Sequence, residues 1–309
     1  MEPKRLKAWQ RALVYSAFGI VALFLSLIIT FPYDALQQRV QQEAERQGFL
    51  LKVGSMGPGF FRVRASDLKI SKRPPPDTEG LPPPLHVDSV SVGPTLFPPG
   101  VSVQANLMEG SVKARVGGLT GLSIRISADD VDLSKGNMKA FSGVDMSGII
   151  NVDIDLAFSK SARAGSAFDP DFSTASGSIT AEGKGLSVNG GNISVVLPMY
   201  GSDPTPLDLP KIALGELNSK ITVEKGAGKI DEFKSKSTDL ELNASGSLKM
   251  NQRLEYSEPN VEVRLKTEPE FVSRLGLIGS ALSMLNPDPK DPNFRLGKLT
   301  GSLGRPNFH

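Results

Sequence analysis

Three hydrophobic patterns follow one another along this chain. Over Ala12–Thr30 (ALVYSAFGIVALFLSLIIT) apolar residues run on without a charge, and the uncharged stretch continues through Phe31, Pro32 and Tyr33 to Asp34. A helix of these nineteen residues, at a rise of ~1.5 Å each, matches the roughly 30 Å hydrocarbon core of a bilayer. Next, Asp34–Gln47 (DALQQRVQQEAERQ) is polar, with Leu36, Val40 and Ala44 at helical spacing. It predicts a solvated helical stalk ended by Gly48. From Phe49 the period changes to two.

Alternation of apolar and polar residues recurs in Val101, Val103, Ala105 and Leu107, then Val112, Ala114 and Val116, then Leu122, Ile124, Ile126 and Ala128. It returns in Val152, Ile154, Leu156 and Phe158, in Ile193, Val195 and Leu197, in Leu240, Leu242 and Ala244, and in Val261, Val263 and Leu265. Successive side chains of a strand point to opposite faces, so each run predicts a half-buried antiparallel strand with one apolar face. Turn signals separate the runs: Glu109-Gly110, Gly117-Gly118, Ser134–Asn137, Asn189-Gly190-Gly191 and Lys225–Gly228. Asn189-Gly190 reads as a hairpin turn because both residues tolerate positive φ. Proline-rich stretches at 71–84, 198–210 and 286–292 predict connections. A small-Gly-small echo recurs around Gly148, Gly177, Gly246 and Gly301 at irregular intervals, and predicts related strand openings at tight bends.

One more helix is predicted over Pro269–Leu285, with Thr267 as N-cap. Phe271, Leu275, Ile278, Leu282 and Leu285 share one face. It is too short to span a bilayer, and packing on the sheet is the expected use. The fold class expected is mainly β: one N-terminal transmembrane helix, an elongated, curled antiparallel sheet and a short C-terminal amphipathic helix.

Charge gives the first segment its direction. Lys4, Arg5, Lys7 and Arg11 precede the apolar run against Glu2 alone, and Trp9 and Tyr33 flank it like interfacial aromatics. The positive-inside rule keeps the N-terminus in the cytoplasm. A cleaved signal peptide would need a shorter run and a small-residue cleavage site, which Ile-Ile-Thr-Phe-Pro-Tyr does not offer. The expected organisation is a cytoplasmic tail (1–11), a signal anchor (12–30), a stalk (31–48) and a periplasmic β-rich domain (49–309), in a single-pass inner-membrane protein. Residues 1–33 hold four of the 35 basic and one of the 33 acidic residues, so the remainder is nearly neutral. That speaks against a nucleic-acid partner.

The chemistry is sparse. With no Cys and two His, one of them terminal, the chain excludes thiolate catalysis, iron–sulfur clusters and cysteine zinc sites. His86 and Asp88 share a strand face, but no second internal His completes a metal site. Asp129, Asp130 and Asp132 lack the calcium-hand spacing. Asp153 and Asp155 read as the wet side of a strand. Gly183-Lys184-Gly185 is not followed by the third Gly of a dinucleotide fingerprint. No catalytic residues, cofactor or metal are expected, and the chain is not expected to be an enzyme.

Several passages resemble the type II secretion system protein N family: TFPYDALQQRV (30–40), VGSMGPGFFRVRASDLKIS (53–71), HVDSVSVGPTLFPPGVSV (86–103), LPKIALGELNSKI (209–221), LEYSEPNVEVRLKTEPEFVSRLGL (254–277) and LGKLTGSLGRPNF (296–308). That family looks related to envelope proteins of the AsmA type, which build curled sheets around an apolar groove. The resemblance implies an accessory inner-membrane subunit of a machine that exports folded proteins, with other secretion subunits as partners. It supplies no catalytic residues. A second reading, a lipid-binding or lipid-transfer module, comes from the alternation itself, because a one-sided sheet must cover its apolar face. Its groove would be lined by Val101, Val103, Leu107, Ile124, Ile126, Ile154, Leu156, Val261 and Val263.

Overall fold

The computed structural model describes residues 30–59, 61–73, 83–119, 121–142, 144–159, 170–195 and 205–308, with Trp9, Tyr15, Ser16, Phe18, Gly19, Ala22 and Ser26. These are organised as one antiparallel sheet of 16 strands, arranged almost wholly in chain order. Its first half contains β1 (Phe49–Gly59), β2 (Arg62–Lys72), β3 (Leu85–Thr95), β4 (Gly100–Leu107), β5 (Gly110–Gly117), β6 (Leu122–Asp132), β7 (Val144–Phe158) and β8 (Ser176–Val195). The second half contains β9 (Thr205–Leu209), β10 (Ile212–Glu224), β11 (Ala227–Lys236), β12 (Leu240–Lys249), β13 (Glu258–Thr267), β14 (Asn286–Pro287), β15 (Arg295–Ser302) and β16 (Arg305–Phe308). Apart from β9 to β10 and β13 to β14, each strand pairs antiparallel with the next, so the expected mainly β, antiparallel character is observed. β9 and β10 lie on the same side of β8 in one continuous register, interrupted at Pro210, which has no N–H for the ladder.

Alternating strand direction gives the sheet two rims. One rim carries the turns β1–β2, β3–β4, β5–β6, β7–β8, β10–β11, β12–β13 and β15–β16, and is called the first rim below. The opposite rim carries the remaining turns and the C-terminal helices. One two-residue turn of the first rim is Lys225-Gly226, with φ of 47° and 77°, joining Glu224 to Ala227. Two consecutive positive φ values suit the twist of a hairpin.

The C-terminal helix is broken. In place of one element over 269–285, α3 (Pro269–Arg274) and α4 (Leu277–Ser283) meet at Gly276, whose φ of +56° ends the first. Thr267 closes β13 and Glu268 is the N-cap, without a side-chain capping bond. Phe271, 2% exposed, and Leu275 pack with Leu240, Leu265 and Leu282, so these helices lie on the sheet as expected. Ile278's side chain lies outside the described residues.

Three other expectations are corrected. Asn189-Gly190-Gly191 makes no turn: it runs inside β8, and its glycines, at φ 122° and 156°, lie where the register with β7 shifts beside Asp145. Positive φ is used there for a bulge. Asn286-Pro287, within the predicted connection 286–292, pairs with Arg295 and Leu296. The echo glycines share positive φ, at 113°, 149°, 141° and 84°, yet only Gly177 stands at a strand opening; the others lie inside β7, β12 and β15.

Helix α1 (Tyr33–Arg46) follows its predicted span, with Gly48 at φ +84° after it. It folds back along β1, where Gln37 Nε2 donates to the Val53 carbonyl at 3.5 Å. The side turned to the sheet is Tyr33, Leu36, Gln37, Gln41 and Ala44, while Val40 of the predicted stripe is exposed. Most of 12–30, with Lys4, Arg5, Lys7 and Arg11, lies outside the described residues. Trp9, Tyr15, Ser16, Phe18, Gly19, Ala22, Ser26 and Thr30 are helical, and Phe31 and Tyr33 rings stand 4.9 Å apart. No helix among the described residues is long and apolar enough to cross a membrane.

A charged latch holds the last strands. Asp288, 4% exposed, accepts from the Lys290 backbone N–H at 2.8 Å and from Arg264 Nε at 2.5 Å, and the Arg264 guanidinium lies 5.0 Å from the Phe294 ring. The Lys290 N–H, and after it Arg264, hold the Asp288 carboxyl below the usual range despite its burial. A depressed folded-state pKa stabilises above the unfolded value of about 3.9 and ceases to do so as pH falls through the folded value. Asp288→Asn is therefore expected to speed amide exchange in β14 and β15 at pH 7, and to leave it unchanged once the native carboxyl is protonated. Exchange mass spectrometry at the two pH values reads this difference.

Candidate functional site

The apolar face of the sheet is one surface. In an antiparallel ladder, directly paired residues project from the same face, so register traces which side chains adjoin. Val63 pairs with Val92, Val92 with Val103, Val103 with Ala114, Ala114 with Ile126 and Ile126 with Ile154. The row continues through Ile179, Ile221, Ile230, Gly246 and Val261 to Leu299. At ~4.8 Å between strands it extends on the order of 50 Å without a polar side chain.

The sequence-predicted groove residues fall on this surface. Val103, Ile126, Ile154 and Val261 stand in that row; Val101, Ile124 and Leu156 form the next row toward the first rim, through Val116. Leu107 lies toward the opposite rim across from Val87, and Val263 pairs with Ala244. Ile179, Ile221 and Ile230 also belong to the face, although none of them is among the sequence-predicted groove residues. Each sits among charged or small neighbours (GSITAEG, SKITVEKG, GKIDEF), and only register shows that they adjoin.

Cover over this face is uneven. Beside the first rim, Leu156, Phe158, Ala175, Val223 and Met250 form a buried cluster with Phe172, whose ring meets Phe158 edge-on at 5.5 Å. Toward the opposite rim, Met108, Val131, Leu133 and Leu186 are buried with Met138 of α2 (Met138–Ser142). The C-terminal helices cover Leu240 and Leu265. Ala65, Leu68 and Val87 form a fourth cluster near the β1 edge. Among the described residues, Val103, Ala114 and Ile126 pack into none of these clusters, and Val92 and Val101 are 38% and 37% exposed. The uncovered part of the face is therefore the patch of β3–β6 made by Val92, Val101, Val103, Ala114 and Ile126, and it opens at the first rim.

The other face is polar. Arg125 donates to Asp155 through Nε at 3.0 Å, and Lys113 Nζ to Asp129 at 3.3 Å. His86 stands exposed, with Nδ1 3.5 Å from Asp67 and Nε2 3.4 Å from Asp88. Asp132 caps a short 3-10 turn, accepting from Ser134 Oγ at 2.6 Å and Ser134 N at 2.9 Å, and these bonds hold its carboxyl below the usual range. Asp153 is exposed, and Gly185, after Lys184, has a φ of +59° within β8 where its register against β10 shifts. No group of three potential metal ligands is assembled among the described residues.

An open antiparallel meander with one continuous apolar face is thus the class that fold and site define. No family model, curated protein or solved structure matches the chain.

Proposed function

We propose that this protein is a membrane-tethered envelope module whose apolar face is a trough for the acyl chains of lipids. The observation that carries this reading is the uninterrupted apolar row from Val63 to Leu299, in which Val92, Val103, Ala114 and Ile126 join none of the buried clusters among the described residues. Half-exposed apolar side chains on this scale lose free energy to water, at about 25 cal/mol per Å². A second layer, a helix or a ligand removes that cost, and among the described residues Val92, Val101, Val103, Ala114 and Ile126 pack into none of the buried clusters that cover the rest of β3–β6. Acyl chains suit a face that offers neither hydrogen bonds nor charge. In this reading residues 12–30 anchor the chain in the inner membrane, the N-terminus stays cytoplasmic, and the sheet stands in the periplasm. The role is binding or transfer and not catalysis, without cofactor or nucleic acid.

The second reading is an accessory subunit of a type II secretion system, drawn from the resemblance of the quoted passages. It is favoured by the far edge of the sheet, where β16 pairs only with β15 and all four of its residues are exposed. Such an edge can accept a strand from a neighbouring subunit.

Native mass spectrometry of the full chain released from detergent micelles separates the two. Phospholipid retained at stoichiometric amounts after delipidating washes supports the trough. A bare polypeptide overturns it and leaves the scaffold.

A further inference from the structure

We propose that the first rim docks on the bilayer surface, with the β3–β4 and β5–β6 loop tips seated among the lipid headgroups and upper acyl chains. These tips present Leu96, 81% exposed, Phe97, 87%, and Leu119, 73%. Phe61, at the neighbouring β1–β2 turn, is more than half exposed. Side chains of this size so far from cover are unusual on a soluble surface, and several on one rim mark an interaction site. Among the described residues the opposite rim differs: its turns present Glu109, Lys135 and Lys139, and its exposed large hydrophobics include only Phe49, 38%, at the start of β1 and Met284, 72%, near the C-terminal helices.

Three observations choose a bilayer as the occupant. First, charge on the parts of these strands nearest the first rim has one sign. Ser89–Met108 carries none, and from Gly54 to Ser66 and from Gly110 to Ala128 every charged residue is Arg or Lys. Arg62, Arg64 and Arg115 are exposed, and none of them enters an ion pair among the described residues. Apolar tips with arginines set behind them match a surface of acyl chains under phosphates. Second, the chain enters from this side. β1 runs from the opposite rim toward the first, and α1 folds back along it, so the leading end of α1 points to the first rim. The apolar run 12–30 precedes that end directly. Third, the uncovered part of the apolar face opens between the same loops, beside Val92 and Val101.

Docking would place the mouth of the face against the lipid that the proposed function has it accept. It does not depend on that function, because tips can insert whether or not the face holds acyl chains.

The chain has no cysteine, so Leu96→Cys, Leu119→Cys and, on the opposite rim, Met284→Cys each give one site for a nitroxide label. The full-length variants are placed in vesicles of phosphatidylcholine and phosphatidylglycerol, and oxygen and a nickel chelate are used as relaxation agents. Labels at 96 and 119 are expected to lose accessibility to the chelate and gain it to oxygen, while the label at 284 keeps the pattern of water. A water-like pattern at 96 and 119 would overturn the docking. So would dipolar broadening between labels on different chains, removed by dilution with unlabelled protein, since that puts the tips against a second copy. Immersed tips on a protein that retains no lipid in native mass spectra keep the docking and remove the trough; retained lipid with water-exposed tips does the reverse.

Discussion

Ile154→Glu is expected to strip the protein of co-purifying lipid, by about tenfold or more, while the sheet stays folded. Ile154 occupies the middle of the apolar row, paired with Ile126 on one side and Ile179 on the other. Directly paired Cβ atoms stand ~4.5–5.5 Å apart, so a carboxylate at this position meets whatever lies over three neighbouring strands. Placing an ionised group against hydrocarbon without a partner costs several kcal/mol, and each ~1.4 kcal/mol is tenfold in affinity. Ile154 packs at the margin of the Leu156 and Phe158 cluster but is only half-buried, so a glutamate can turn toward water in the empty protein, and the fold survives at reduced stability. Asp153→Asn is the matched control: it changes charge on the same strand but on the wet face. Lipid bound per chain is read by mass spectrometry, and folding by circular dichroism. Full retention of lipid by a folded Ile154→Glu protein would dismiss the trough.

The contrast between these two neighbours also explains what could be read from the sequence. Strict alternation in Val152–Phe158 and Val101–Leu107 set the faces of β7 and β4, because period two leaves only the choice of which side is dry. Candidate groove residues from separate runs therefore came together on one surface. What alternation does not carry is register. Ile179, Ile221 and Ile230 look isolated in their own segments and acquire neighbours only through pairing. Backbone conformation was legible only as an option. Asn189-Gly190 has the chemistry of a hairpin turn, but the same tolerance for positive φ serves a bulge, and the length of β7 opposite β8 makes it a bulge. Gly276 was hidden inside an unbroken helical stripe, where one glycine is no signal of a break. The loop tips Leu96, Phe97 and Leu119 were visible as residues, but that they share a rim follows only from the hairpin order.

Gly177→Ala is expected to be among the most damaging single methyl additions in the chain, at roughly 3 kcal/mol or more, for backbone reasons alone. Gly177 opens β8 with a φ of +149°, and a Cβ built there would lie 1.9 Å from the carbonyl oxygen of Asp155 on β7. Two penalties coincide. An L-residue resists that φ, and the oxygen in the way belongs to the ladder itself and cannot turn aside as a side chain would. Relief requires moving β8 off β7 beside Leu156 and Val223, both in the buried cluster that closes the apolar face near the first rim. Gly246 repeats the arrangement on β12, with Asn260 O 2.3 Å from the would-be Cβ, so Gly246→Ala should follow the same course. Gly185 separates the causes. Its φ is +59°, a region Asn enters readily, and nothing lies within 4 Å of its would-be Cβ. Gly185→Asn should then cost under about 1 kcal/mol. Thermal unfolding followed by circular dichroism should show Gly177→Ala melting roughly 6–12 °C below the parent and Gly185→Asn within a few degrees of it. Equal melting temperatures for all three would mean that β8 is free to leave β7 at this end, and the close approach that shapes the first rim would be lost with it.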